Sequence, residues 1–173
     1  VQAPKKANDI TMAARFQIGI TTSYDPAYKS LAYPKGDVPM DRGVCTDVVI
    51  RALRKAHKMD LQKLVHEDMK KNFNAYPNLW RLKRPDKNID HRRVPNLMRF
   101  FERKGYSLSA ERKKFIDGDI VTCLVANRPH IMIVGNRTKA NGVPLIIHNI
   151  GRGTREEDCL YKYKITGHYR IKK

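Results

Sequence analysis

The spacing of apolar residues changes at Gly118, and this change constrains the fold more than any other feature of the chain. Upstream, apolar residues recur at helical spacing, and the segments so predicted as helices are 8–19, 45–58, 60–73 and 95–105. Downstream, short β-branched or aromatic runs separated by turn residues predict strands at 119–126, 130–135, 143–149, 159–164 and 167–171. Helices followed by strands predict an α+β fold, with the helices packed on one face of an antiparallel meander.

The length of 173 residues predicts a single domain, 1–173, in which residues 1–8 are flexible. No apolar run reaches the ~18 residues of a membrane span, so we expect no transmembrane segment. Residues 21–42 are rich in turn formers and predict a long ordered loop, a kind of segment that more often carries function than not.

The charge is unusual, because 35 lysines and arginines stand against 17 acidic residues and give a net charge of +18. The excess is spread through the chain and forms no tail, so it predicts a surface that attracts polyanions such as nucleic acid, anionic lipid or acidic cell-wall polymers. A basic surface with no specific partner is the alternative. No nucleic-acid recognition motif is present, and we expect no nucleic-acid partner.

Cys45 follows Gly43 at the predicted start of a helix. The positive end of a helix dipole and the free amides of its first turn favour a thiolate, which predicts a lowered pKa and a nucleophilic sulfur. The alternative is a buried structural thiol, a common fate for cysteine. Three cysteines are an odd number, so Cys123 and Cys159 are either bridged to each other or both reduced.

Two histidines lie in neighbouring predicted strands and supply the partners that a nucleophilic cysteine needs. A symmetric hairpin around 136–142 pairs Gly135 with Val143 and His130 with His148, which places both rings on one face. The predicted unit is Cys45 as nucleophile, His130 as general base and acid, and His148 as the orienting group.

A metal site is the chemical alternative, with Cys45, His130, His148 and Asp47 as ligands, but ligand pairs at short spacing are absent. We therefore expect no metal and no other cofactor.

Four further residues are candidates for substrate or oxyanion contacts. Tyr24 in the long loop could donate to an oxyanion beside the Cys45 backbone amide, and Asp25 is next to it. Asp47 lies in the first helical turn, where the helix dipole accounts for a carboxylate without a catalytic role. Arg152 closely follows His148 and could bind a substrate carboxylate, with a solvated turn arginine as the alternative.

The stretch "DHRR" precedes the fourth predicted helix. Asp90 in this stretch is interpreted as the cap of that helix. Arg92 and Arg93 are interpreted as surface charge.

Three blocks of the sequence resemble the NlpC-type cell-wall peptidases in chain order: "GVCTDVVIRAL", "DGDIVTCLVANRPHIMIVG" and "PLIIHN". Over nearly the whole chain, "TTSYDPAY", "RGVCTDVVIRAL", "NIDHRRVPNL" and "HNIGRGT" are similar to a bacterial family of unknown function in the same papain-like superfamily. In the cell-wall peptidases the cysteine usually lies between Asp and Ser, where this chain has Val44 and Thr46.

The resemblance implies a papain-like fold with the nucleophile at Cys45, the base at His130 and the third polar residue at His148. It also implies a periplasmic or secreted protein that hydrolyses an amide in peptidoglycan stem peptides. We further expect a monomer, and a leader that has been removed, because the sequence begins at Val1 and not at Met. Anionic cell-envelope polymers are then the expected partners of the basic surface. The rival interpretation is a non-catalytic, basic cell-wall-binding module of the same fold.

Overall fold

The computed structural model describes residues 6–109 and 114–173. This part of the chain is an α+β domain, as predicted, with four α-helices and an antiparallel five-stranded sheet. The helices are α1 (Asp9–Arg15), α2 (Cys45–His57), α3 (Leu61–Lys71) and α4 (Val94–Arg103), with 3-10 turns at Phe73–Ala75 and Asp90–Arg92. The strands are β1 (Ser23–Tyr24), β2 (Arg42–Gly43), β3 (Ile120–Val125), β4 (Arg128–Thr138), β5 (Pro144–Asn149), β6 (Thr154–Glu157) and β7 (Lys164–Tyr169).

The helices follow the predicted apolar spacing, although several ends differ. In α2 the stripe of Val48, Val49 and Leu53 is buried as expected, and Lys58 ends the helix in the left-handed conformation. Asp60 precedes α3, but its carboxylate accepts from the Lys35 amide and the Arg54 guanidinium and does not cap that helix.

Helix α1 begins as predicted but is shorter at its C-terminus. The Asn8 side chain accepts from the Ile10 amide and caps the helix, which ends at Arg15 and not at Gly19. Asn8 also donates its backbone N–H to Asp117, and the flexibility of residues 1–8 stays a prediction. Residues 1–5 lie outside the described part.

The sheet has the strand order β6-β5-β4-β3-β7, which corrects the predicted meander in two respects. Residues 159–163 of the strand expected at 159–164 form a turn region and Lys164 begins β7, so the fifth strand of the sheet is instead β6, which pairs with β5. Strand β7 returns to the opposite edge and pairs with β3. The charged sequence "TREE" of β6 gave no strand signal because it is an edge strand with three of its four residues incompletely buried.

Two hydrophobic clusters cover the two faces of the sheet. The helix-side cluster joins α1, α2, α3 and α4 to Ile120, Ile131, Ile133 and Ile147 of the sheet. The far-side cluster contains Val121, Cys123, Met132, Val134 and Ile146, covered by Cys159 and Leu160 from the β6–β7 connection. Side chains therefore alternate strictly between the faces along β3 and β4.

The β4–β5 hairpin has a different register from the predicted one. Ile133 pairs with Ile147 and Val134 with Ile146, and an irregularity follows before Thr138 pairs with Pro144. The pairing is shifted by two residues from the symmetric hairpin. Because side chains alternate with a period of two, a two-residue shift leaves His130 and His148 on the same face, the far side of the sheet.

None of the helices in the part of the chain that the structure covers is long and apolar enough to cross a bilayer.

Candidate active site

Cys45 is the first residue of α2, and the backbone before it is shaped by a buried carboxylate. Val44 is extended, and Asp47 one turn into the helix accepts the Val44 amide at 2.7 Å. A Cβ on Gly43 would lie 3.0 Å from the Asp47 Cβ and 3.1 Å from Arg51 Nη1, so the glycine permits the chain to enter the helix this closely.

Asp47 is also the partner of Arg92 in an ion pair that is almost fully buried. Arg92 Nη2 lies 2.8 Å and Nε 3.1 Å from the two carboxylate oxygens, and both side chains are at most 3% exposed. Asp47 is thus engaged within the protein, in keeping with the non-catalytic role that was the alternative to a substrate contact, whereas the prediction that Arg92 is surface charge is wrong, because it is a core residue. Asp90 does not cap α4 either, because it opens the preceding 3-10 turn and accepts from the Asp86 amide.

The Cys45 sulfur lies at a seam where β4 and β5 diverge. The backbone N–H and C=O of Val134 both bond to residues just before β3. Backbone groups of successive residues in an antiparallel strand point to opposite sides, so the Ile131 N–H, three residues away, points towards β5. The β4–β5 ladder begins only at Ile133 and Ile147, and the Ile131 N–H instead interacts with the Cys45 sulfur. The thiol thus takes the place of a missing strand partner.

His130 is the residue before Ile131, so its side chain starts beside this seam. From standard backbone dimensions and a normal hydrogen-bond length, the sulfur lies within roughly 6–7 Å of the His130 Cβ. Between these two described side chains there is no hydrogen bond in the resting structure. The His130 ring is hydrogen-bonded to His148 on the far side of the sheet, whereas the Cys45 side chain packs in the helix-side cluster. The structure therefore places the predicted nucleophile and base in neighbouring positions of the fold without bringing thiol and imidazole into contact.

The two histidines and Glu157 form a continuous relay. His130 Nε2 lies 2.8 Å from His148 Nδ1, and His148 Nε2 lies 2.7 Å from Glu157 Oε2. A carboxylate accepts hydrogen bonds, so it favours the His148 tautomer with the proton on Nε2; His148 Nδ1 then accepts from His130 Nε2. This sequence of bonds leaves the lone pair of His130 on Nδ1, the nitrogen that a general base would use.

Burial controls the protonation of the thiol and of the imidazole. It raises the pKa of Cys45 to about 12, although the Ile131, Thr46 and Cys45 amides lower it in part and the Asp47 carboxylate raises it further. Burial and the neighbouring His148 lower the pKa of His130 to about 3. The predicted low pKa of Cys45 is therefore wrong, because desolvation outweighs the helix dipole. At rest the site holds a neutral thiol and a neutral imidazole.

An open cleft of about 360 Å³ leads to Cys45. Its walls come from the long loop, the segment before α4 and the start of β4, and the residues that line it include Tyr24, Leu79, Trp80, Arg92, Arg93 and Pro129. Burial and the nearby Cys45 and Asp47 raise the pKa of Tyr24 to about 12, so its hydroxyl stays protonated and able to donate. Tyr24 is thus placed as predicted, beside the cysteine.

Two other candidates lie away from the cleft. Asp25 accepts from the Ala27 amide and lies 3.9 Å from Arg42, and it is not among the residues that line the cleft. Arg152 is exposed and does not line the cleft either.

Cys123 and Cys159 are buried free thiols on the far side of the sheet. Cys159, His148 and Glu157 place ligand atoms within 4.8 Å of one another, a set that could hold a metal ion. The 2.7 Å contact between His148 and Glu157 is that of a hydrogen bond and accounts for this pair without an ion.

Sequence reasoning missed Glu157, Arg92 and the Arg93–Trp80 pair. Glu157 lies on β6, and this strand was not predicted. Without that strand there was no reason in the sequence to place Glu157 beside β5. Arg92 is separated from Asp47 by 45 positions, and nothing local distinguishes a buried arginine from a solvated one. A signal did exist in the single tryptophan of the loop 77–85, because Trp80 and its neighbour Leu79 line the cleft.

Fold and site together define an α+β protein with a buried cysteine at a helix start and a histidine–histidine–glutamate relay in the adjoining sheet. The chain belongs to the family described as "Domain of unknown function (DUF1287)", whose model matches residues 11–171. It is similar to "Uncharacterized protein YijF" of Escherichia coli (strain K12), with 56% identity over 164 residues, which cover 93% of this chain and 80% of the relative. The resemblance to NlpC-type peptidases stays a prediction.

Proposed function

We propose that this protein is a cysteine hydrolase, an amidase or endopeptidase of papain-like NlpC type, that cleaves an amide in peptidoglycan stem peptides. The observation that carries the proposal is the relay from Glu157 through His148 to His130, the residue that precedes Ile131, whose N–H interacts with the Cys45 sulfur. A relay that fixes the tautomer of an imidazole next to a thiol is the arrangement of nucleophilic hydrolases.

In the proposed reaction the thiol is activated only when substrate is bound. His130 Nδ1 takes the proton from Cys45 as the sulfur attacks the amide carbonyl, and the new S–C bond gives a tetrahedral oxyanion. The oxyanion collapses, the C–N bond breaks, and the leaving amine takes the proton from His130. Water then attacks the thioester with His130 as base, which releases the carboxylic acid and restores the thiol.

Two groups support this chemistry from the surroundings of the sulfur. The protonated Tyr24 hydroxyl can donate to the oxyanion, since it lines the same cleft. Glu157 opposes the positive charge that passes through His130 and His148 during the reaction, because its carboxylate lies at the end of the relay.

The basic surface favours a polyanionic location, and we propose that the protein acts at the cell envelope after export. A second open groove of about 790 Å³ is lined by Arg81, Lys83, Arg84 and Lys87. Exposed charges of this kind attract acidic polymers in a salt-dependent manner. Binding of the protein to isolated cell-wall sacculi should weaken as sodium chloride is raised from 50 to 500 mM; binding that ignores salt would contradict this part of the proposal.

The decisive experiment is digestion of purified muropeptides by the wild-type chain and by the Cys45→Ala and His130→Gln variants, with products identified by mass spectrometry. We expect cleavage by the wild type and loss of at least about 10³-fold in both variants. Identical product profiles from wild type and Cys45→Ala would exclude the thiol mechanism.

Cys159→Ala is the matched control, since it removes another buried thiol. It should retain activity under the thiol mechanism. If chemistry instead required a metal ion held by His148, Glu157 and Cys159, this variant would lose activity together with the others.

The low exposure and raised pKa of Cys45 favour a second candidate, a non-catalytic basic module that binds the cell wall. Such a module would bind sacculi equally well with or without Cys45 and would give no new muropeptide in the same digestion. The two functions therefore differ in the products and not in the binding.

A further inference from the structure

Arg93 differs from Arg92, the other arginine of the cleft, because no acidic group in the described part of the chain contacts its guanidinium. Its guanidinium stacks on the Trp80 ring at 4.2 Å, and its Nη1 is buried with no hydrogen-bond partner among the described residues. Arg92, by contrast, is bonded through two nitrogens to Asp47. A buried N–H without a partner is uncommon in a folded protein and indicates a missing acceptor.

The position of Arg93 links this missing acceptor to the cysteine. Arg93 and Trp80 line the same cleft as Cys45. Asp86 and Asp90 are the acidic groups whose charges reach Arg93, but neither bonds to it: Asp90 accepts from the Asp86 amide, and Asp86 accepts from Tyr28.

Arg93 lines the cleft and adds a positive charge to its wall. The Arg92 charge is compensated by Asp47, so within residues 6–109 and 114–173 Arg93 is the cation of the cleft wall that lacks an ion pair. Helix α4 begins at Val94, and the positive end of its dipole reinforces the potential there.

We propose that Arg93, held flat by Trp80, is the subsite for a free carboxylate of the substrate, and that the substrate class is an acidic peptide whose carboxylate lies close to the scissile amide. The planar fork of a guanidinium binds a carboxylate through two parallel hydrogen bonds, and stacking on an aromatic ring fixes the plane of the fork. The assignment of this carboxylate to a substrate rests on the proposed hydrolase function.

The preference of the cleft for anions does not rest on the hydrolase function, because it can be measured without turnover.

The test compares two alkylating probes of Cys45 that differ in charge, iodoacetate and iodoacetamide. Labelling is followed at pH 9 by mass spectrometry of the tryptic peptide 43–51, at constant ionic strength. In the wild-type chain iodoacetate should be favoured, and Arg93→Gln should lower the iodoacetate-to-iodoacetamide rate ratio by about tenfold while the iodoacetamide rate stays within about twofold. An unchanged ratio in Arg93→Gln would overturn the proposal.

Arg84→Gln is the matched control, because it removes one positive charge from the other groove and should leave the ratio unchanged. A ratio that falls equally in both variants would show a general effect of net charge and would contradict a built subsite.

Should Arg93→Gln fail to fold, the wild-type chain alone still decides the question. Glutarate should then slow iodoacetamide labelling of Cys45, whereas glutaramide with sodium chloride at matched ionic strength should not; equal rates would also overturn the subsite. Because labelling requires only a reachable sulfur, this result is independent of the muropeptide digestion. A cleft with the expected anion preference but no hydrolysis would retain the subsite and exclude the enzyme.

Discussion

Replacing Asp47 by asparagine should destabilise the protein severely, because it leaves the Arg92 guanidinium buried without a counter-charge. Asparagine can still accept the Val44 amide, so the variant removes the charge and keeps the start of α2. Removal of one partner from a buried pair costs about 3–5 kcal/mol. The pair here qualifies as buried, since the two side chains are 2% and 3% exposed.

This loss is large against the total, because domains unfold with about 5–15 kcal/mol. For a chain of this size, about 1 kcal/mol corresponds to 2–4 °C, so Tm should fall by roughly 10 °C or more. Urea unfolding followed by circular dichroism measures the free energy directly. Asp41→Asn is the control: its pair with Arg42 is 61% and 40% exposed, and the change should leave the urea midpoint nearly unchanged.

The double variant Asp47→Asn, Arg92→Met separates a charge effect from a packing effect. Methionine fills much of the volume of the arginine side chain and brings no unpaired charge, so more than half of the lost stability should return. If the double variant is no more stable than Asp47→Asn alone, or if Asp47→Asn lies within 1 kcal/mol of wild type, the burial argument is wrong.

Three further predictions follow from the site and its surroundings. Iodoacetamide should label Cys45 at pH 8 roughly 50-fold more slowly than free cysteine, with a rate that still rises at pH 10, whereas a plateau at acidic pH would indicate a preformed ion pair. Glu157→Gln should shift His148 away from its Nε2-protonated tautomer, as read by nitrogen chemical shifts in NMR; an unchanged spectrum would contradict the relay. Burial lowers the pKa of His91 to about 4, so the neutral imidazole contributes stability that is lost as the pH falls below about 6.5. His91→Gln should therefore reduce the slope of the unfolding free energy against pH, between pH 6 and 4.5, by about 1.4 kcal/mol per pH unit. Equal slopes in the variant and the wild type would contradict this burial effect.

Much of the fold was predictable because it depends on local spacing. The buried stripe of α2 repeats at helical period, and the common face of His130 and His148 depends only on the parity of their positions. Parity survives a two-residue error, and the predicted neighbourhood of the two rings was therefore confirmed although the register was wrong. The register itself depends on the irregularity between Val134 and Thr138, which leaves no mark in the sequence.

The features that were not predictable arise from contacts between distant segments. A helix start is visible in the sequence, so the dipole at Cys45 could be inferred. The desolvation that outweighs the dipole comes from the packing of α2 against β4, and this packing cannot be inferred from one sequence. The Asp47–Arg92 pair was unpredictable for the same reason. An acidic residue in the first turn of a helix is equally compatible with exposure to water, so the sequence does not indicate a buried partner.

The burial of Cys45 also bears on how such a sulfur would survive in oxidising surroundings. Oxidants and foreign disulfides attack through the thiolate, so a thiol that stays protonated between encounters is a poor target for sulfenic acid formation or mixed-disulfide exchange. Burial between the strands would thus preserve the sulfur in its reduced state.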